Sequence, residues 1–334
     1  MMSKATTKAR RLRQVEMLLM THPEGMAQAE LARRLGVNRS TIHRDLVDLA
    51  EGCAVYEGDD GRLFIDRASH LVDLQVTLHE AMAVHLATRL LATRTDKQNP
   101  HAASALRKLG IALERLAPRI SRHLLQSADL MDTQALRHDP RYLQVLERLT
   151  LAWAEERRVR VWHRHAKTGE VRDYVFAPYF IEPYAVGQTA HVIGWREPPG
   201  AVRTLKLERI ERVETTTECY TIPEGFDPGE LLADAWGIWY TEEEPVEVVL
   251  RFHPRVARRV LETRWHRSET VEEQPDGGLM WRAQVAEPQE MMPWIRGWGA
   301  DCEVIAPDAL RTEMTKEATR LAVLYPKPDG GDHG

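Results

Sequence analysis

Up to about residue 156 the apolar residues of this 334-residue chain recur mostly at helical spacing, and from Arg158 to about 216 they alternate. A chain that changes period midway must build more than one kind of domain. At about 100–200 residues per domain, its length suits two or three. The expected fold class is therefore α+β and multidomain.

The helical half opens with three short helices and a hairpin over residues 8–65. A first helix spans about 8–21, with Leu12, Val15, Leu18 and Leu19 on one face, and His22-Pro-Glu-Gly25 stops it. A second covers about 27–35. Gly36-Val37-Asn38 is a tight turn in which Asn38 caps a third helix over about 39–50. Ile42, Leu46 and Leu49 line the inner face of that helix, so Ser40, His43, Arg44 and Val47 must point outward. Strands at about 54–57 and 62–66 flank the turn Gly58-Asp-Asp-Gly61.

Residues 67–156 read as helices. One keeps its apolar stripe from Leu71 to Leu90. A second, after a break near Asp96–Pro100, carries Leu106 to Leu116 and ends at Pro118. A third starts at Asp139-Pro140, with Asp139 as N-cap and Pro140 in the first turn.

Five strands follow, at about 158–165, 171–181, 189–195, 202–207 and 210–216, and their spacing suggests a small barrel. The acidic stretch 227–244 has little pattern and reads as a linker. After it come strand 246–252, helix 254–263, strand 267–273, strand 279–286, helix 289–298, strand 301–306 and helix 308–325, the ferredoxin-like order. The tail 326–334 is expected to fray.

Hydrophobic residues at 43% and charged residues at 28% are ordinary for a folded domain, and no apolar run is long enough to span a membrane. Cys53, Cys219 and Cys302 are too far apart for a disulfide framework or a zinc quartet. With no apolar leader in the first residues, a cytoplasmic location is expected. The net charge of −5 argues against a nucleic-acid partner, but its distribution argues the other way. Residues 1–49 carry nine Lys/Arg and five Asp/Glu, and residues 158–213 carry ten and six. Association follows such local fields.

The run Glu30 to Leu46 resembles a helix-turn-helix with a following wing, as in DeoR-like winged-helix regulators. The resemblance implies a double-stranded DNA operator as partner. Arg44 is suited to two guanine acceptors in the major groove, and Ser40, Thr41 and His43 to bases or phosphates. Asn38 and Arg39 open the same helix, and Gln28 and Arg62 are placed to touch backbone. Lys8, Arg10, Arg11 and Arg13 are placed to grip phosphates. A small bundle with a solvated basic face is the blander alternative.

Residues 172–195, with Tyr174-Val-Phe-Ala-Pro-Tyr-Phe-Ile-Glu-Pro-Tyr184 and His191-Val-Ile-Gly-Trp195, followed by Arg203-Thr-Leu-Lys-Leu-Glu-Arg-Ile210, look like a WYL domain. The chain then resembles the commonest arrangement of that family. The resemblance implies a winged helix-turn-helix at 1–67, a helical linker at 68–138, an Sm-like barrel with its leading helix at 139–226, a linker at 227–245 and a ferredoxin-like WCX extension at 246–326. It departs from the family where Ala190-His191-Val192 replaces Trp-Tyr-Leu. The resemblance also implies an electropositive site for an anionic effector such as single-stranded nucleic acid or a nucleotide. Carried over by position, that site takes His163, His191, Arg203, Lys206 and Arg209. Strand alternation puts Arg203 and Lys206 on opposite faces unless a bulge intervenes, which favours Arg203, Arg209 and His191. Solvated sheet residues are the alternative.

The function expected is a homodimeric, effector-responsive transcriptional regulator, with no enzymatic activity, cofactor, metal or membrane partner. An effector-independent repressor and a nucleic-acid-processing enzyme using the barrel histidines remain as alternatives. His79-Glu80 with His85 lacks the i, i+4 spacing of a zinc-protease helix. His163 and His165 with His191 form a weak metal candidate. Trp236, Trp239, Trp265, Trp281, Trp294 and Trp298 are expected to serve core packing or a subunit interface.

Overall fold

The computed structural model describes residues 4–50, 55–71, 74–94, 97–133, 139–184 and 187–325. The readings made for Cys53, Ala54, Asp96 and the tail 326–334 lie outside these residues. The chain divides into two compact units. One comprises Met1–Pro178, Trp195–Ala201 and Glu208–Tyr220. The other comprises Tyr179–Gly194, Val202–Leu207 and Thr221–Gly334.

The first unit begins with α1 (Lys4–Met20), β1 (Met26–Ala27), α2 (Gln28–Leu35), α3 (Arg39–Ala50), β2 (Val55–Glu57) and β3 (Arg62–Ile65). The three strands pair antiparallel in the order β1-β3-β2. Val15, Leu19, Met26, Leu31, Ile42, Leu49, Leu63 and Ile65 form their common core. Gly36 closes α2 in the left-handed region at φ 64°, and its N–H returns to the carbonyls of Ala32 and Arg33. Gly25 is constrained twice: its φ is 74°, and an added Cβ would lie 2.5 Å from the Phe64 ring.

Four helices follow: α4 (Leu78–Arg94), α5 (Pro100–Ala112), α6 (Pro118–Thr133) and α7 (Pro140–Ala154). Two expectations need correction here. The first helix starts at Leu78, because Thr77 and Glu80 form a capping box in which each side chain accepts from the other's backbone N–H. Leu71 and Leu74 lie outside it and are exposed, as are Leu86 and Leu90. The inward face is instead Ala81, His85 and Ala92. Pro118 opens a further helix, α6, whose missing N–H costs nothing in a first turn. Asp139 caps α7 as expected, accepting from the Tyr142 N–H at 3.0 Å. Arg67 donates to the carbonyls of Met20 and Ala154, the last residues of α1 and α7.

The five strands are β4 (Arg157–Arg164), β5 (Val171–Tyr184), β6 (Thr189–Glu197), β7 (Ala201–Lys206) and β8 (Ile210–Cys219), in the order β7-β6-β5-β4-β8. Within the first unit β4 pairs with β5 and β8, and its register with β8 shifts between Trp162 and His163.

In the second unit the stretch read as a linker is partly ordered. Asp227 caps α8 (Pro228–Leu231), and Ala235 and Ile238 are buried. The buried Glu290 carboxylate accounts for this, since it accepts from the N–H groups of Gly237, Ile238 and Trp239. Then come β9 (Val246–Phe252), α9 (Pro254–Leu261), β10 (Thr270–Glu273), β11 (Leu279–Val285), α10 (Met292–Trp298), β12 (Cys302–Ala306) and α11 (Asp308–Leu324). β10 starts three residues later than expected. Glu269 instead accepts from the backbone of Trp265 and His266 and from the Trp281 indole. The sheet is antiparallel throughout, in the order β10-β11-β9-β12. Its core centres on Leu250, Phe252, Trp281, Val285, Met291 and Ile295, with Trp236, Trp265, Trp294 and Trp298 packed against it.

Candidate functional site

The α3 helix divides cleanly by burial. Ile42, Asp45 and Leu49 face the core, while Asn38, Arg39, Ser40, His43, Arg44 and Val47 are exposed and Thr41 is half-buried. The outward surface thus carries short polar groups, an imidazole and two guanidinium groups, the donor set that reads base edges and phosphates. Gln28 braces the start of this helix. Its amide donates to the Arg39 carbonyl at 3.3 Å, and Arg39 Nε donates back to Gln28 Oε1 at 3.4 Å.

Three of the expected backbone and phosphate contacts, Arg62, Arg11 and Lys8, are engaged within the protein. Arg62 donates to the carbonyls of Gly25 (3.1 Å) and Glu24 (3.4 Å) and pairs with Asp60 (3.5 Å), so it fastens the wing. Arg11 makes a two-point contact with Asp45, and Lys8 pairs with Asp48 at 2.7 Å. Arg10 and Arg13 are exposed.

In the sheet of the first unit, the register shift at Trp162/His163 sets His163 opposite Ile210, next to Arg209. Arg203 and Lys206 both lie within β7, so strand alternation holds for them, but the 3-10 turn Leu207–Arg209 takes Arg209 out of it. The His163 ring lies 6.3 Å from that of Tyr174, and the Arg196 guanidinium sits 5.0 Å over the Tyr174 ring. Arg196 is held by its Nε, which donates to the Pro198 carbonyl at 3.1 Å. Burial, with Arg209, Arg196 and His165 nearby, pushes the His163 pKa down to about 4. Burial pushes the Tyr174 phenol up to about 12 against the pull of Arg196. His163 Nε2 is buried without a hydrogen-bond partner. At neutral pH this is a neutral imidazole and a neutral phenol beside two guanidinium groups, a site that favours an anion. Tyr174 and Arg196 were not singled out from the sequence; their signal was an aromatic and a cation on adjoining strands.

His191, Arg203 and Lys206 belong to the second unit. His191 is buried and meets the Tyr184 ring edge to face at 5.7 Å. Burial and the Glu290 charge raise the Tyr184 pKa. Arg203 is exposed and donates to the Val202 carbonyl at 2.8 Å, and Lys206 is half-buried. Among the described residues no group of three or more His, Cys, Asp or Glu is placed to hold a metal ion. No helix among them is long and apolar enough to cross a membrane. Glu80, considered with His79 and His85, is occupied in the capping box.

The sequence matches the HTH domain over residues 10–56, the WYL domain over 144–215 and the WCX domain over 244–322. The chain belongs to the WYL-domain transcriptional regulators. None of the curated proteins matches it. This WYL-domain regulator is similar to the solved structure of proteasome accessory factor B/C (PafBC) of Arthrobacter aurescens. The identity is 19% and the TM-score 0.31, over 95% of this chain and 49% of that one. It is also similar to a CRISPR Cas-related protein, at 11% identity and a TM-score of 0.38, over 61% of this chain and 54% of that one. The WYL-domain regulator therefore spans about half the length of these solved structures. Its domain content is that of a DNA-binding regulator.

Proposed function

We propose that this regulator binds a double-stranded operator as a homodimer and that an anionic effector, single-stranded nucleic acid or a nucleotide, alters that binding through the WYL domain. The observation that carries effector sensing is the cluster of His163, Tyr174, Arg196 and Arg209, in which two cations lie beside a half-buried imidazole whose Nε2 is buried and unpaired. Each Arg offers charge-assisted hydrogen bonds to phosphate, and Tyr174 offers a ring for stacking. His191, Arg203 and Lys206 are secondary ligand candidates.

On the DNA side the reading assigns Asn38, Arg39, Ser40, Thr41, His43 and Arg44 to contact, with Gln28 and Arg62 as braces. The proposed domains are a winged helix-turn-helix at 1–67, a helical linker at 68–138, the barrel with α7 at 139–226, a linker at 227–245 and the C-terminal domain at 246–326. An Sm-like barrel is supported by the strand order fifth-first-second-third-fourth. A ferredoxin-like domain is supported by the order second-third-first-fourth after residue 246. A cytoplasmic location and the absence of catalysis follow from this role.

The test is operator affinity by fluorescence anisotropy with and without short single-stranded DNA or nucleotides. An effector-dependent change is expected, and it should vanish in Arg209→Ala and Arg196→Ala while effector-free affinity is kept. Operator affinity unmoved by any of these anions would leave an effector-independent repressor.

A further inference from the structure

The three-helix segment contains a buried polar layer that neither DNA binding nor the barrel uses. One apolar cluster joins Ala81, Leu113 and Leu124, and another joins Ala92, Ala103, Leu106, Ala128 and Met131. On α4, His85 and Arg89 fall between the two clusters, one helical turn apart on the same side. His85 is 3% exposed. Its ring meets that of His123 on α6 edge to face, with centroids 5.0 Å apart. His123 itself is exposed, so the group runs from the helix interface to the surface.

Two polar atoms of this layer, His85 Nδ1 and Arg89 Nη1, are buried and make no hydrogen bond. Buried donors are almost always paired, and leaving one unpaired is destabilising. Burial, followed by the repulsion of His123 and Arg89, lowers the His85 pKa. The fixed charge of Arg89 repels a metal ion from the two imidazoles. An oxyanion, by contrast, accepts from a guanidinium and an imidazole at once and offsets the like-charge repulsion.

We propose that His85, Arg89 and His123 bind a small free oxyanion of phosphate or sulfate size within the helical segment. Arg89 Nη1 and His85 Nδ1 donate to it from the buried side, and His123 donates from the solvent side. The site is separate from the barrel cluster and would couple the stability of this segment to the anion.

The test is thermal unfolding of the full-length protein in inorganic phosphate against chloride at matched ionic strength, with histidine imidazole resonances followed by NMR. Phosphate should raise the Tm saturably and move the His85 resonance towards its protonated form. The rise should be lost in Arg89→Met, which keeps the aliphatic stem, and weakened in His123→Gln. If Arg89→Met fails to fold, the exposed His123→Gln variant decides. A wild-type Tm without a saturable response to millimolar phosphate would overturn the site. So would an equal response in both variants, or a His85 resonance that stays in place.

Discussion

Arg11 of α1 grips Asp45 of α3 through two hydrogen bonds, with Nη2 to Oδ1 at 2.9 Å, and the Asp45 side chain is only 2% exposed. The Asp45 end of the pair follows Arg44 directly and lies on the inner side of α3, opposite its exposed face. Removing one partner of a buried pair leaves the other charge uncompensated, at a cost of about 3–5 kcal/mol. Because Arg11 is 19% exposed, Arg11→Ala is expected near the lower end of that range. Denaturant unfolding of the isolated amino-terminal transition measures it. A loss below about 0.5 kcal/mol, the size of an ordinary surface change, would contradict the pin.

Arg44 and Arg10 are both exposed, and they should fail differently. On the proposed contacts Arg44→Ala removes a base-reading group and should cost about 1–3 kcal/mol on the preferred site while relaxing its sequence preference. Arg10→Ala removes an exposed cation suited to a phosphate, so binding should weaken evenly across sequences and the salt slope should fall by about one unit. Anisotropy titrations at several salt concentrations separate the two. Equal effects on specific and random duplexes for Arg44→Ala would remove it from base reading.

How far the sequence foretold this arrangement depended on how local the signal was. Gly36 sits beside the helix end it closes, and the Asn38 carbonyl opens α3 by accepting from the Thr41 and Ile42 N–H groups, so the helix-turn-helix was legible from local residues. The outer face of α3 follows from Ile42 and Leu49 alone. Arg11 and Arg62 look like free cations in sequence, because Asp45 and the Gly25 carbonyl that hold them lie 34 and 37 residues away. The nearness of His163 to Arg209 depends on a register shift and a 3-10 turn that strand alternation does not reveal. Leu71 and Leu74 extended a helical stripe past its true start, since periodicity counts residues and a capping box decides where the helix begins. The stretch 227–244 looked patternless because its order comes from Glu290, some 50 residues further on.

Glu290 is 3% exposed and holds three consecutive backbone N–H groups. Glu290→Ala leaves these donors unpaired, and hydrogen bonds to a charged acceptor are worth about 1.5–3 kcal/mol each before relaxation. Glu290→Gln keeps one acceptor oxygen and should lose less. Hydrogen exchange should show Gly237–Trp239 losing protection in Glu290→Ala while β9 and β11 keep theirs. Unchanged exchange at these three amides would show that the loop is held by Trp236 packing alone.

His163 makes a prediction in pH. Its folded pKa of about 4 lies below the ordinary value of 6.5, so in that window the unfolded chain holds a proton that the folded protein refuses. Stability therefore falls as the pH drops from 6.5 towards 4, by up to roughly 3 kcal/mol for this group, and the contribution is flat above 6.5. His85 and His266 shift in the same direction, so the test is a difference between wild type and His163→Gln. Urea midpoints in that window should fall less steeply for the variant. An anion seated against Arg196 and Arg209 would favour the protonated imidazole. Effector binding should thus take up a proton and tighten as the pH falls from 7 to 5 in wild type, but not in His163→Gln. Parallel pH profiles for the two proteins would place the anion elsewhere.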